Sequence, residues 1–169
     1  MKKLFGLIVI ISLILIILFN VSNDDLSIEI MSFGSPKVED ENAIEIYIQY
    51  DWSKRRFTAN SETIEVDWNP EWIVSSYKID VFEKDKKLED YYNVQDSGNS
   101  LNITLNNRLK FSGTETGSIS IILIPIDKEQ LKQMFNSAAS VRYDHSNLLF
   151  GKIVKSDSVS WRNEDILNR

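Results

Sequence analysis

The sequence predicts a mainly β protein, an antiparallel β-sandwich with one amphipathic helix, carried behind an N-terminal membrane helix. Three observations support this class. Apolar and polar residues alternate through most of the chain after residue 25, which is typical of strands with one face on a core and one in water. Residues 4–19 are apolar apart from Gly6 and Ser12. Residues 128–139 carry apolar side chains at helical spacing.

The composition is that of a folded protein without thiol chemistry or a multi-histidine metal centre. The 169 residues are 43% hydrophobic and 11% aromatic, enough to offset chain entropy by burial. Cysteine is absent, which excludes disulfides, thiolate metal sites and a cysteine nucleophile. The single histidine, His145, excludes a multi-histidine metal centre, and six Gly and three Pro provide no glycine-rich phosphate loop. We expect no cofactor.

The N-terminal segment predicts a membrane helix. Lys2 and Lys3 precede the apolar run, and Asp24 and Asp25 follow it, so the N-terminus is expected in the cytoplasm and the rest outside. The stretch from Leu4 to Val21 has eighteen residues, close to the shortest helix that spans a bilayer. It is therefore the predicted contact with the membrane.

The residues that follow the apolar run indicate whether the segment is cleaved off. Asn20 and Ser22 make a poor signal-peptide cleavage site, which favours an uncleaved signal-anchor over residues 1–21. The protein is then a single-pass protein of the cell membrane, and secretion after cleavage is the alternative. Residues 22–25 are expected to be a short linker, residues 26–161 a single extracytoplasmic β-sandwich domain, and residues 162–169 a polar tail.

The charge of the exported part limits its partners. Removing Lys2 and Lys3 from the 19 basic residues leaves 17 against 25 acidic ones, a formal charge of −8. Such a surface repels phosphate backbones and anionic polymers at long range, so nucleic acid is not an expected partner.

The predicted strands are recognised by alternation. Five runs show it clearly: Leu26 to Ile30, Ile44 to Trp52, Ile64 to Trp68, Tyr77 to Val81, and Leu101 to Leu105. Residues 150–154 and 159–161 predict two further short strands. Residues 118–126 are apolar on both faces from Ile121 onward, so this strand requires cover on both sides.

A helix over residues 128–139 is predicted to supply that cover. Asp127 is a suitable N-cap, and Gln130 three residues later completes a capping box. The apolar stripe is formed by Leu131, Met134, Phe135 and Ala138. We expect this stripe to pack on the sheet face formed by Ile122 and Ile124.

One segment resembles a known family. Residues 63–82 contain Ile64, Val66 and Trp68, then Pro70, then Tyr77, Ile79 and Val81. This pattern resembles the second and third strands of a fibronectin type III domain, which implies an immunoglobulin-like sandwich with the tryptophan between two sheets. A tyrosine usual in such domains is missing from residues 118–126, and the predicted helix is foreign to them. The resemblance implies architecture, not function.

Signatures of catalysis are weak. Asp144, His145 and Ser146 are adjacent, but triad residues normally meet from distant positions, and no Gly-x-Ser-x-Gly turn exists. His145 is therefore predicted to be an exposed loop residue, and the protein is expected not to be an enzyme. The alternative is a small secreted hydrolase that acts on cell-surface glycan through acidic residues, whose spatial spacing the sequence does not give.

Aromatic residues near turns are the candidate contacts. Trp68 and Trp72 flank a turn at residues 69–71, where an exposed ring could stack on a sugar or anchor a protein. Alternatively, Trp68 lies in the core and Trp72 caps the sandwich edge. Tyr91 and Tyr92 carry a weaker suggestion of the same kind.

The remaining candidate is a cation site. Glu39, Asp40 and Glu41 form an oxygen-rich run that could contribute to calcium binding, although the spacing matches no EF-hand loop, and a solvated loop is the alternative. Taken together, the sequence predicts a membrane-tethered binding module without catalytic activity. Its partner is expected to be a cell-surface protein or a glycan.

Overall fold

Strands dominate the described part of the chain. The computed structural model describes residues 9–14, 26–34, 42–52, 59–83, 86–89, 91–105, 115–147 and 151–167. The strands are β1 (Leu26–Gly34), β2 (Ile44–Trp52), β3 (Ala59–Trp68), β4 (Trp72–Glu83), β5 (Lys86–Lys87), β6 (Tyr92–Asp96), β7 (Ser100–Leu105), β8 (Glu115–Pro125), β9 (Asn136–Asn147) and β10 (Gly151–Arg162). Besides the helical residues 9–14, the described ranges contain two short helices, α1 (Lys128–Gln133) and α2 (Asn163–Leu167).

Most of the predictions made for the N-terminal part of the chain lie outside the described residues. Residues 9–14 are helical, and none of the helices within the described ranges is long and apolar enough to cross a bilayer. The rest of the predicted anchor, the linker at 22–25 and the calcium candidates Glu39, Asp40 and Glu41 lie outside the described residues.

The strands form two five-stranded sheets that face each other. The first sheet has the order β1-β2-β8-β4-β5, and the second has the order β10-β9-β3-β7-β6. Every strand pair in these orders is antiparallel. The predicted mainly β sandwich is confirmed.

Alternation places one face of each central strand in a shared core. In β2, Ile44, Ile46 and Ile48 are buried. In β3 and β8, Ile64, Val66, Ile119, Ile121 and Leu123 are buried in the same way, and these residues form one cluster. Burying so many β-branched side chains between two sheets is the main source of stability in this arrangement.

The predicted helix over residues 128–139 is too long. Its N-cap is confirmed, since Asp127 Oδ1 accepts hydrogen bonds from the backbone of Glu129 at 2.8 Å and Gln130 at 3.4 Å. The helix ends at Gln133, however, and a strand starts at Asn136. Backbone pairing of β9 with both β3 and β10 outweighs the local helical pattern. The same pairing merges the two short strands predicted after residue 150 into one strand, β10.

The predicted packing of the helix is also wrong. Leu131 is buried, but the Phe135 ring is 64% exposed, and α1 lies against α2. Ile122 and Ile124 keep half-exposed side chains on the outer face of the first sheet. The polar tail expected at 162–169 instead includes α2, whose Ile166 reaches the core.

Asp157 joins the sheets along one side of the sandwich. Its Oδ2 accepts a hydrogen bond from the Ile30 backbone N–H of β1 at 3.0 Å. Its Oδ1 accepts a second from the Ser158 backbone N–H at 2.8 Å. A carboxylate from β10 thus occupies the outer edge of β1, which protects part of that edge from pairing with another chain.

Two substitutions distinguish the observed packing of α1 from the predicted one. Leu131→Ala should lower the free energy of unfolding by about 2–5 kcal/mol, because it opens a cavity in the core. Phe135→Ala should change it by no more than about 1 kcal/mol, because it removes an exposed ring and one cation–π contact. Urea denaturation of both variants measures the difference. Equal and large losses of unfolding free energy in both variants would support the longer helix predicted from the sequence.

Candidate functional site

The tryptophans proposed as exposed contacts lie inside the sandwich. Trp72 is 0% exposed, and its Nε1 donates a hydrogen bond to Ser137 Oγ at 2.9 Å. Trp68 is buried at the end of β3 and donates from Nε1 to the Trp72 carbonyl at 2.9 Å. The Trp161 ring packs edge-on against Trp72 with centroids 5.7 Å apart. The expectation of an exposed ring at the turn is therefore wrong, and the alternative that Trp68 lies in the core is confirmed. Trp72 of the first sheet is covered by its partners on β9 and β10 of the second.

The tyrosine candidates are placed differently from each other. Tyr91 is buried, and its hydroxyl donates to Glu115 Oε2 at 3.2 Å. Tyr92 begins the edge strand β6 with a half-buried side chain. Neither tyrosine presents a fully exposed ring.

A buried polar cluster occupies the opposite end of the sandwich from the tryptophans. Glu62 of β3 and His145 of β9 are adjacent in register, and Glu62 Oε1 lies 3.0 Å from His145 Nδ1. The Trp52 indole lies beside the imidazole, with centroids 4.9 Å apart. The prediction that His145 is an exposed loop residue is therefore wrong. The alternation of inward-facing side chains along β9 continues to residue 145, so the imidazole ring lies between the sheets.

Two further contacts connect the sheets in this cluster. Trp52 Nε1 of the first sheet donates to the Tyr143 hydroxyl of the second at 3.0 Å. Glu115 accepts from the Tyr50 hydroxyl at 3.4 Å and from Tyr91 on the other oxygen. Burial, reinforced by the nearby Glu115 carboxylate, raises the pKa of the Tyr50 hydroxyl well above its ordinary value. The cluster is an internal structural network rather than an open reaction site.

An apolar surface lies on the outer face of the first sheet. Ile73 of β4 pairs directly with Ile124 of β8, Ile122 lies two residues earlier on the same face, and Ile126 follows immediately after the end of β8. Ile73 is 39% exposed and Ile126 is 58% exposed. We call these four residues the isoleucine patch. The sequence indicated that this face needs cover, and the described residues supply only part of it.

A groove lies near the same end, between the end of β1 and the β10–α2 junction. It encloses about 580 Å³, and its floor is formed by Ile44, Trp161 and Ile166. Ser32 and Gly34, at the last inward positions of β1, line one side of the groove. These small residues leave room there, whereas the earlier inward positions of β1 carry leucine or isoleucine. We call it the β1–α2 groove.

The rim of this groove was not predicted from the sequence. It carries Phe135, Asn136, Ser160, Arg162 and Asp165. The Arg162 guanidinium carbon lies 5.4 Å from the centroid of the Phe135 ring. A usable signal existed in the small residues Ser32 and Gly34, which interrupt the apolar inward face of β1. The remaining part of the rim depends on where α1 ends.

Loss of the buried imidazole should be costly. His145→Phe removes one hydrogen-bonding partner of Glu62 Oε1, and losing the partner of a buried polar group costs about 1–3 kcal/mol. The matched control on the same strand is Arg142→Ala, which breaks only an exposed ion pair with Asp144 and should cost no more than about 1 kcal/mol. Chemical denaturation measures both. A loss below about 1 kcal/mol for His145→Phe would contradict the described cluster.

The raised Tyr50 pKa predicts sensitivity to alkali. The folded state holds the phenol proton more tightly than the unfolded state, so this stabilisation is complete below about pH 10 and is lost as pH rises through the folded pKa. Tyr50→Phe should therefore show a weaker decline in the free energy of unfolding above about pH 10. Denaturation curves between neutral and alkaline pH test this. An unchanged pH slope would show that Tyr50 does not contribute.

Comparisons with known proteins support the fold. No protein-family model matches the sequence, and no curated protein matches it. Among solved structures, the chain is similar to the collagen-binding subdomain of the Enterococcus faecalis surface protein ACE, with 10% identity, a TM-score of 0.57, and coverage of 79% of this chain and 95% of that one. It is also similar to the collagen-binding domain of Erysipelothrix rhusiopathiae surface protein RspB, with 11% identity, a TM-score of 0.59, and coverage of 85% and 47%.

A pilus subunit shows the same likeness. The full-length major pilin SpaD of Corynebacterium diphtheriae is 13% identical with a TM-score of 0.62, and the match covers 81% of this chain and 34% of the pilin. At such identities the likeness shows the fold alone. The chain has an immunoglobulin-like sandwich of the kind found in surface adhesin and pilin domains, which supports the resemblance at the level of architecture.

Proposed function

We propose that this protein is a membrane-tethered, extracytoplasmic binding module without catalytic activity, and that it holds an extracellular protein on the isoleucine patch. The observation that carries the proposal is the patch itself. Apolar side chains that are neighbours on a sheet face and stay partly exposed are typical of protein interaction sites. The similar solved structures include two described as collagen-binding, which supports a protein partner and makes collagen the first probe.

The position of the patch suits a tethered module. β1 begins at Leu26, directly after the proposed anchor and linker, and pairs there with Trp52 at the end that holds the polar cluster. Its nine residues run about 30 Å toward the tryptophan end. Ile73 and Ile124 pair with each other at that far end. Leu123, next to Ile124 in β8, pairs with Ile44 of β2, and Ile44 pairs with Gly34, the last residue of β1. The patch is thus held away from the proposed point of attachment.

Binding is favoured over hydrolysis by the acids that are available. Glu62 and Glu115 are buried and hydrogen-bonded inside the polar cluster. Among the described residues, Asp165 is the single carboxylate that lines the β1–α2 groove. Glycoside cleavage of the usual kind requires two carboxylates on either side of the bond. The described geometry therefore favours a module that retains its ligand unchanged.

The test uses cells that express the full chain with a C-terminal tag. Intact cells should bind fluorescent type I collagen, and external protease should remove both the tag and the binding while a cytoplasmic marker survives. The double variant Ile73→Thr, Ile126→Thr should weaken collagen binding by about tenfold or more, since central apolar contacts dominate such interfaces. Flow cytometry over a collagen concentration series measures the change.

The matched control is Val154→Thr, an exposed apolar residue on β10 of the other sheet. It should leave collagen binding unchanged. A protected tag would contradict the proposed orientation. Equal weakening by the control and the patch variant, or no collagen binding by the unaltered chain, would contradict the proposed partner surface.

A further inference from the structure

The β1–α2 groove combines one exposed aromatic ring with polar side chains of mixed hydrogen-bonding type. We propose that it binds a neutral glycan chain, with the Phe135 ring stacked against the apolar face of one sugar unit. This ligand class and this site are separate from the isoleucine patch, so the inference does not rest on the protein partner proposed above.

Phe135 is held in place as a fixed platform. Its carbonyl accepts a hydrogen bond from the Asn163 backbone N–H at 3.2 Å. The Asn163 side-chain amide donates to the Met134 carbonyl at 2.9 Å and is buried. The backbone is therefore fixed on both sides of a ring that remains 64% exposed. An exposed ring on a fixed backbone loses little entropy when a flat ligand surface covers it.

The rim supplies the groups that sugar hydroxyls require. Asn136 and Ser160 can each donate and accept hydrogen bonds, Arg162 donates, and Asp165 accepts. Asn136 and Arg162 are directly opposite each other in the β9–β10 pair, and the Arg162 guanidinium lies over the Phe135 ring. Hydroxyl groups on neighbouring carbons present donors and acceptors in just such mixed sets. The groove is also open and about 580 Å³ in volume, which suits a chain of a few sugar units.

Charge selects a neutral glycan over an acidic one. Arg162 and Asp165 oppose each other in sign on the rim, so the described lining of the groove has no excess of positive charge to hold an anionic polymer. The chain beyond Lys3 carries a formal charge of −8, which repels uronic acids, phosphates and sulfates at long range. A neutral polysaccharide is therefore the class that both the local and the overall charge permit.

The test is a calorimetric titration of the full chain in a detergent without a sugar headgroup. The probes are cellohexaose, chitohexaose and mannohexaose as neutral chains, and hexagalacturonate as an acidic one. At least one neutral hexasaccharide should bind with a Kd of about 1 mM or tighter. Phe135→Ala should weaken that binding by about tenfold or more, and Asn136→Ala should weaken it to a smaller degree. Circular dichroism melting confirms that each variant is folded.

Phe33→Ala is the matched control, because Phe33 is also an exposed phenylalanine of this region, at 47%, but lies on the outer face of β1. It should leave glycan binding unchanged, as should the isoleucine-patch variant. Failure of all three neutral chains to bind, tighter binding of hexagalacturonate, or equal weakening by Phe33→Ala would overturn the proposal. A Phe135→Ala variant that loses collagen but not glycan would assign the groove to the protein partner instead.

Discussion

The burial of Trp72 between the sheets is the contact on which the tryptophan end of the molecule depends. The residue begins β4 in the first sheet, hydrogen-bonds Ser137 of β9 in the second, and packs on Trp161 of β10. Its carbonyl also accepts the indole N–H of Trp68. This one residue thus fixes strands from both sheets against each other, and part of each candidate surface lies on those strands.

The opposite end solves a different problem, the burial of polar groups. A carboxylate taken into a core is costly unless it is hydrogen-bonded. Glu62 is hydrogen-bonded to His145, and Glu115 accepts hydrogen bonds from Tyr50 and Tyr91. Because a slip of one residue would turn each of these groups to the wrong face, the cluster specifies the register of β3 on β9 as well as contributing stability.

The two ends of the sandwich have different roles in the proposed tethered module. The polar cluster lies near the start of β1, where the proposed anchor joins, while the isoleucine patch and the β1–α2 groove lie about 30 Å away along the strand. The patch is purely aliphatic and suits a protein surface. The groove joins a phenylalanine to amide, hydroxyl and charged groups and suits a sugar chain. The short α1 makes both available, because it ends before it can cover Ile124 and before it can bury Phe135.

The sequence alone determined the elements whose period is strong, because alternation of side chains is a local property. Ile44–Trp52 appears as β2 with the predicted bounds, Trp68 lies between the sheets as its resemblance implied, and Asp127 caps α1. Tertiary structure decided the rest. The stripe through Phe135 and Ala138 suits a helix in isolation, but pairing with two neighbouring strands converts residues 136–147 into β9, which buries His145 and exposes Phe135. The groove likewise arises only where Ser32 and Gly34 lie opposite the α2 end of β10. The two small residues interrupt the inward face of β1 in the sequence, but no local pattern shows which distant segment lies across from them.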